Sequence, residues 1–209
     1  MEGKFIVLEG IDGSGKGTLM HILRNYLLSK GYSNEEILIT REPSESGFGI
    51  EVKKLLKEEK DPKANATKFL DLYVNDRKEH LKNEIIPALE RGEIVLCDRY
   101  KYSTIVYQAI QGIPKDDIIE LHEGMLIPDL VIIMDLPVDI ALKRIGMDEN
   151  RRQLEKFEQP GFLEKVRKGF KELPKLLPGE NIIIIDSSKS IEKVAEKAKE
   201  ELNRLIVEK

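Results

Sequence analysis

Gly10-Ile11-Asp12-Gly13-Ser14-Gly15-Lys16-Gly17-Thr18 follows the apolar run Phe5-Ile6-Val7-Leu8 and opens a stretch with helical periodicity. The spacing G-x-x-x-x-G-K between a strand and a helix suits a polyphosphate: the glycines let successive backbone N–H groups turn inward, and the helix N-terminus adds partial positive charge. Lys16 is placed to reach the β- and γ-phosphates, with Gly10, Asp12, Gly13, Ser14, Gly15 and Gly17 in the loop around them. The residue after Lys16 is Gly17, where the general pattern carries Ser or Thr on magnesium. Thr18 stands one place later and is the candidate for the nucleotide and its Mg²⁺. Such a loop names a nucleotide and not a reaction.

A second set of charged residues sits where other apolar runs end. Asp98-Arg99-Tyr100 closes the run Ile94–Cys97, and Arg41 follows Ile37–Ile39 within Thr40-Arg41-Glu42-Pro43. If these runs are parallel strands, both arginines lie at the carboxyl edge, where ligands of open α/β sheets bind. Two planar guanidinium forks could clamp one phosphate, although each alone suits a structural ion pair equally well. Asp98 is a second candidate for the metal. Leu70, Tyr73, Arg77 and Leu81 fall on one face of a helical stretch, so an aromatic ring and a guanidinium one turn apart could stack a base and bond its edge. A core role for Tyr73 is the simpler alternative.

These residues need elements to hold them. Besides the runs ending at Leu8, Ile39 and Cys97, Leu130–Met134 and Ile182–Ile185 are apolar without alternation, as strands buried on both faces are. Helix-period stretches lie between them, at about 16–30, 47–60, 65–91, 100–112, 115–125, 138–146, 160–177 and 190–207. Gly31 and Gly92 punctuate two of these, and Pro87 is expected to interrupt the long third one near its end. The rhythm is α/β: a five-stranded parallel sheet flanked by helices in three layers, with right-handed crossovers. No linker or repeat divides residues 1–209, so a single domain is expected. The segment at about 145–160 is charged, with little to bury, and reads as a solvent-exposed flap.

The 34 Lys and Arg against 38 Asp and Glu give a net charge of −4, so no broad positive field holds a nucleic acid. No apolar run is long enough to cross a bilayer. One cysteine cannot form an internal disulfide. A cytoplasmic protein that binds neither nucleic acid nor membrane is the expectation.

Taken together, these segments resemble the thymidylate kinases, P-loop kinases that phosphorylate dTMP. In the resemblance, Asp12 of the phosphate loop lies near the acceptor sugar, and Arg41 of Arg41-Glu42-Pro43 helps bind the dTMP phosphate. Leu72-Tyr73-Val74-Asn75-Asp76-Arg77 is similar to the family's base-binding helix, with Tyr73 stacking on thymine and Arg77 on its edge. Asp98-Arg99-Tyr100-Lys101-Tyr102-Ser103-Thr104-Ile105-Val106-Tyr107-Gln108 resembles the family signature D-R-Y/H-x-x-S-x-x-x-Y/F. It implies Arg99 on the acceptor phosphate, Ser103, Thr104 and Gln108 near the base, and Tyr107 beside the deoxyribose. The flap then corresponds to a mobile lid, with Arg151 and Arg152 as its catalytic candidates and Arg144 as a hinge arginine on the ATP side. The resemblance implies the P-loop kinase fold, ATP as donor, dTMP as acceptor, Mg²⁺ as cofactor and a homodimer.

Two other classes compete with it, another nucleoside monophosphate kinase and a non-kinase ATP-binding module. The Lys16-Gly17-Thr18 form is shared with adenylate kinases, but no T-G-D-x-x-R segment follows the first helix. A uridylate or cytidylate kinase is a neighbouring alternative. A non-kinase ATP-binding module would have no use for paired acceptor arginines.

Overall fold

In a computed structural model of the chain, residues 3–59, 61, 64–147 and 159–206 are described. Five strands form one sheet: β1 (Lys4–Glu9), β2 (Ile37–Arg41), β3 (Ile94–Asp98), β4 (Leu130–Asp135) and β5 (Ile182–Asp186). All are parallel, in the order β2-β3-β1-β4-β5. The sheet is therefore α/β and all-parallel, as the apolar runs imply. The three central strands are buried along nearly their whole length, because helices cover both faces. The edge strands β2 and β5 are more open, and Ile184 is 41% exposed. The lack of alternation in the sequence does not distinguish these edges from the centre.

Two apolar layers separate the sheet from its helices. On one side, Ile6, Leu8, Leu96 and Ile132 pack with Leu19 and Leu23 of α1 (Lys16–Ser29) and Val194 and Ala198 of α9 (Ile191–Asn203). Their odd-numbered neighbours Val7, Val95, Val131 and Ile133 face the opposite layer, as the pleat requires. That layer is filled by α3 (Ala66–His80), α5 (Lys101–Ile110) and α8 (Pro160–Leu176), with α6 (Lys115–Glu120) beside them. A smaller cluster of Val52, Phe69 and Leu72 joins α2 (Gly47–Glu58) to α3.

The long third helix is broken one turn earlier than its proline. A π-helical turn, Leu81–Ile85, separates α3 from α4 (Ile86–Glu90), and Pro87 sits in the first turn of α4. Proline lacks the N–H that would continue the i→i−4 ladder and its ring crowds the carbonyl four residues back, so the ladder changes register before the ring. The last helix before the flap is α7 (Val138–Gly146). Most of the expected lid, including Arg151 and Arg152, lies outside the described residues.

Candidate active site

Parallel pairing brings the charged strand ends to one edge. Leu8 is in register with Asp98, and Arg41 is in register with Asp98, so the phosphate loop, Arg41 and Arg99 all leave the sheet on the same side. The loop itself is shaped by backbone conformations that favour glycine, with Gly13 at φ 77° and Gly15 at φ 94°. A Cβ on Gly13 would also lie 2.8 Å from the Ala141 carbonyl oxygen of α7, so the loop is wedged against that helix.

A cavity of about 720 Å³ opens over this loop, lined by Asp12–Thr18, Asp98 and Met134, and on its far side by Arg144, Ser187, Lys189, Ile191 and Val194. Lys16 is buried, and its Nζ donates to the carbonyls of Gly10 at 3.2 Å and Ile11 at 3.5 Å, with Asp98 Oδ1 at 3.8 Å. Burial, reinforced by the nearby Arg99 charge, pulls its pKa below the usual lysine value. Arg144 donates to the carbonyl oxygens of Gly13 and Ser187, each at 3.3 Å, and so ties the loop to the turn after β5. Ser190 occupies the N-cap position of α9 in that turn.

On the other side of the loop, Arg99 links three of the expected residues. Its Nη1 donates to Ser103 Oγ at 2.9 Å, its Nη2 donates to Asp12 Oδ1 at 2.9 Å, and its guanidinium lies 5.6 Å from the centroid of the Tyr107 ring. Arg99 has φ 72°, in the left-handed region that a long side chain rarely adopts. Backbone strain at this position is held by the pairing that surrounds it. Burial raises the pKa of the Tyr107 hydroxyl, so it stays protonated beside that guanidinium.

Arg41 behaves differently. Its side chain is 68% exposed and its ion pair is with Glu45 at 3.7 Å. The pair of forks suggested by the sequence is therefore one enclosed arginine and one exposed at the surface. Tyr73 is half-buried and stacks on Phe69 at 6.2 Å, at the margin of the α2–α3 cluster. Gln108 is buried; its Nε2 donates to Gln111 Oε1 at 2.9 Å, and its Oε1 has no hydrogen-bond partner among the described residues.

Arg77 lies deeper than its place on the helix face suggests, at 1% exposure. Its Nε and Nη2 donate to Glu42 Oε2 at 2.8 and 2.5 Å, its Nη2 also donates to Thr104 Oγ1 at 3.1 Å, and its Nη1 meets His122 Nε2 at 2.6 Å. The ring of Tyr100 lies 5.1 Å beneath it.

Over residues 8–198 the chain matches the thymidylate kinase family profile. It is 40% identical to a thymidylate kinase of Caldicellulosiruptor saccharolyticus over 99% of this chain and 98% of that one. It is 36% identical to a probable thymidylate kinase of Pyrococcus horikoshii over 93% of each chain. The chain belongs to the thymidylate kinase family. A crystal structure of the Ehrlichia chaffeensis thymidylate kinase superposes with a TM-score of 0.76 at 29% identity, covering 97% of this chain and 100% of that one. The five-stranded sheet is thus the P-loop kinase fold of the thymidylate kinases. The family consists of ATP-dependent phosphotransferases, and none of the helices among the described residues is long and apolar enough to cross a membrane.

Two buried carboxylates that pin the loops around this site are not marked out by the sequence. Glu9 closes β1 fully buried, and its carboxylate accepts the Tyr100 N–H at 2.8 Å, the Ser103 N–H at 3.1 Å and the Ser103 hydroxyl at 2.6 Å. Asp76, also fully buried, accepts the Ser44 N–H at 2.9 Å and the hydroxyls of Ser44 and Ser46 at 2.5 and 2.6 Å, pinning the loop after Pro43 to α3. A carboxylate ending or interrupting an apolar pattern, as Glu9 does, is the signal that could have found them.

Proposed function

We propose that this chain transfers the γ-phosphoryl group of ATP to the phosphate of dTMP, giving dTDP and ADP. The observation that carries the reading is Arg99, which lies between the phosphate loop through Asp12 and the acceptor-side helix α5 through Ser103. A phosphoryl group in transit between two nucleotides needs cationic donors on its equatorial oxygens and little covalent help.

In this reading ATP lies in the 720 Å³ cavity, with its phosphates on the N–H groups of Gly10–Thr18 and its base beside Arg144 and the turn at Ser187–Lys189. Lys16 lies buried at the loop and supplies charge to the β- and γ-phosphates once ATP displaces its carbonyl partners. Arg99 leaves Asp12 for the acceptor phosphate, and exposed Arg41 swings onto the same group. Asp12 faces the acceptor sugar, Tyr107 blocks a 2′-hydroxyl, Tyr73 stacks on thymine, and Arg77 with Ser103, Thr104 and Gln108 reads its edge. Arg151 and Arg152 complete the charge neutralisation from the lid, whose closure keeps water from the γ-phosphate.

Mg²⁺ fits the residues present. Asp98 Oδ1 is a buried carboxylate oxygen with no hydrogen-bond partner among the described residues, and the Asp98 and Thr18 side chains both line the cavity. An oxygen set this sparse matches a hard cation held mainly by phosphates and water. When bound, the ion neutralises charge on the β- and γ-oxygens. The same reading includes a homodimer, which sedimentation at micromolar concentration tests, and a cytoplasmic location.

Phosphorus NMR of the protein with Mg-ATP and dTMP tests the reaction: dTDP and ADP should rise in equal amounts. Inorganic phosphate in place of dTDP would make the protein an ATPase.

A further inference from the structure

His122 follows α6 and is buried. Its ring bridges two groups: Nδ1 lies 2.6 Å from the Ile118 carbonyl oxygen, and Nε2 lies 2.6 Å from Arg77 Nη1. A carbonyl only accepts and a guanidinium only donates, so the contacts define the tautomer: Nδ1 carries the proton and Nε2 offers its lone pair. Burial and the facing Arg77 charge lower the ring's pKa to about 3, so that tautomer persists across the working pH range.

Arg77 has five N–H groups. Glu42 and Thr104 engage its Nε–H and Nη2–H groups, and His122 takes one Nη1–H. One Nη1–H stays unengaged among the described residues. We propose that His122 is a positioning residue for the acceptor base: its neutral Nε2 fixes the rotation of the Arg77 guanidinium, so that the remaining Nη1–H is presented to a carbonyl on the edge of a pyrimidine. The inference rests on the dTMP kinase reading and adds to it a residue from the segment after α6.

The arrangement has a chemical consequence. The anchor of Arg77 on the Glu42 side is ionic, whereas its anchor on the His122 side is a neutral acceptor. A carboxylate in place of His122 would bring a second negative charge to a guanidinium that already has one, and would draw it away from a neutral carbonyl. A neutral acceptor holds the guanidinium and leaves its charge for the ligand.

The test compares two ligands that share the sugar and phosphate and differ in the base. His122→Leu removes the acceptor, while His122→Gln retains an acceptor at similar reach. KM for dTMP and for ATP, the inhibition constant of base-free 2-deoxyribose 5-phosphate and the melting temperature are measured on each.

The proposal expects His122→Leu to raise the dTMP KM about tenfold or more, with less than about twofold change in the ATP KM and in the inhibition constant of 2-deoxyribose 5-phosphate. His122→Gln should recover most of that loss. Equal weakening of dTMP and of 2-deoxyribose 5-phosphate would make His122 a packing residue and overturn the proposal. An unchanged dTMP KM in His122→Leu would do the same. If His122→Leu does not fold, His122→Gln decides: a tenfold loss for dTMP alone at wild-type melting temperature overturns the proposal, and a wild-type dTMP KM supports it. If the wild-type protein does not use dTMP at all, the functional reading itself fails, and that outcome is seen before any variant is made.

Discussion

Arg99 Nη2 lies 2.9 Å from Asp12 Oδ1, so the end of β3 reaches across the sheet edge to the loop that follows β1. The same guanidinium donates to Ser103 on α5, whose hydroxyl in turn donates to buried Glu9 at the end of β1. The two halves of the site are thereby joined through two neighbouring strands and one helix N-terminus. In the proposed reaction, a phosphoryl group moving between them would meet a donor that already belongs to both sides.

Lys16 lies on the ATP side of that link, so its contribution to turnover should be separable from acceptor binding. Lys16→Ala is expected to lower kcat by about 10²–10³-fold, the range for removing one positioned transition-state donor, with a dTMP dissociation constant within about threefold of wild type. Steady-state kinetics and calorimetric dTMP binding measure the two effects. A loss of dTMP affinity as large as the loss of turnover would remove Lys16 from its assigned role.

Arg99 and Arg41, both proposed to hold the acceptor phosphate, should not behave alike. Arg99 is enclosed and held in a strained backbone conformation, whereas Arg41 is exposed and bound to a single glutamate. Arg99→Ala should cost about 10²-fold or more in kcat, and Arg41→Ala should raise the dTMP KM by about tenfold with kcat nearly kept. The reverse ranking would show that exposure misleads about which fork holds the phosphate.

Stability around His80 should depend on pH. Burial lowers its pKa, but the hydrogen bond and charge of Glu42, with Glu84 and Asp76 nearby, outweigh that and raise it. A histidine whose folded pKa is raised contributes stability that is fully present below the unfolded value of about 6.5 and is lost as pH rises through the folded value. The melting-temperature advantage of wild type over His80→Gln should then be largest near pH 6 and shrink as pH rises beyond the folded pKa. An advantage that grows with pH would contradict the assignment.

Gly13 in the loop and Gly17 in the first turn of α1 give opposite expectations. Gly13 has φ 77° and a Cβ there would meet the Ala141 carbonyl oxygen at 2.8 Å, so Gly13→Ala should lower the melting temperature and weaken ATP binding. A Cβ on Gly17 meets nothing within 4 Å. Gly17→Ser should fold with a melting temperature equal to or slightly above wild type and keep its activity, placing a hydroxyl where the general phosphate-loop pattern has one. Melting curves and ATP titrations decide both.

The sequence made legible what local pattern controls. Five apolar runs became five strands because an all-parallel sheet buries its centre on both faces, and the glycines spaced after the first run became a loop with positive φ at Gly10, Gly13 and Gly15. The strand order β2-β3-β1-β4-β5 was not legible, since it depends on which helices cover which face. Nor was the depth of Arg77: its helical spacing to Tyr73 marks a face, but burial comes from Glu42, Thr104 and His122, each from a different segment. Glu9 and Asp76 were missed because their partners are backbone N–H groups and hydroxyls that only the fold brings to them.

The most direct measurement offers dTMP, dUMP, UMP, AMP, CMP and GMP one at a time with Mg-ATP and records ADP release. Strong stimulation by dTMP is expected, with a smaller one by dUMP set by a single methyl group worth about 1–3 kcal/mol, and little by the others. Stimulation by AMP in preference to dTMP, or ADP release indifferent to the acceptor, would contradict the dTMP kinase reading.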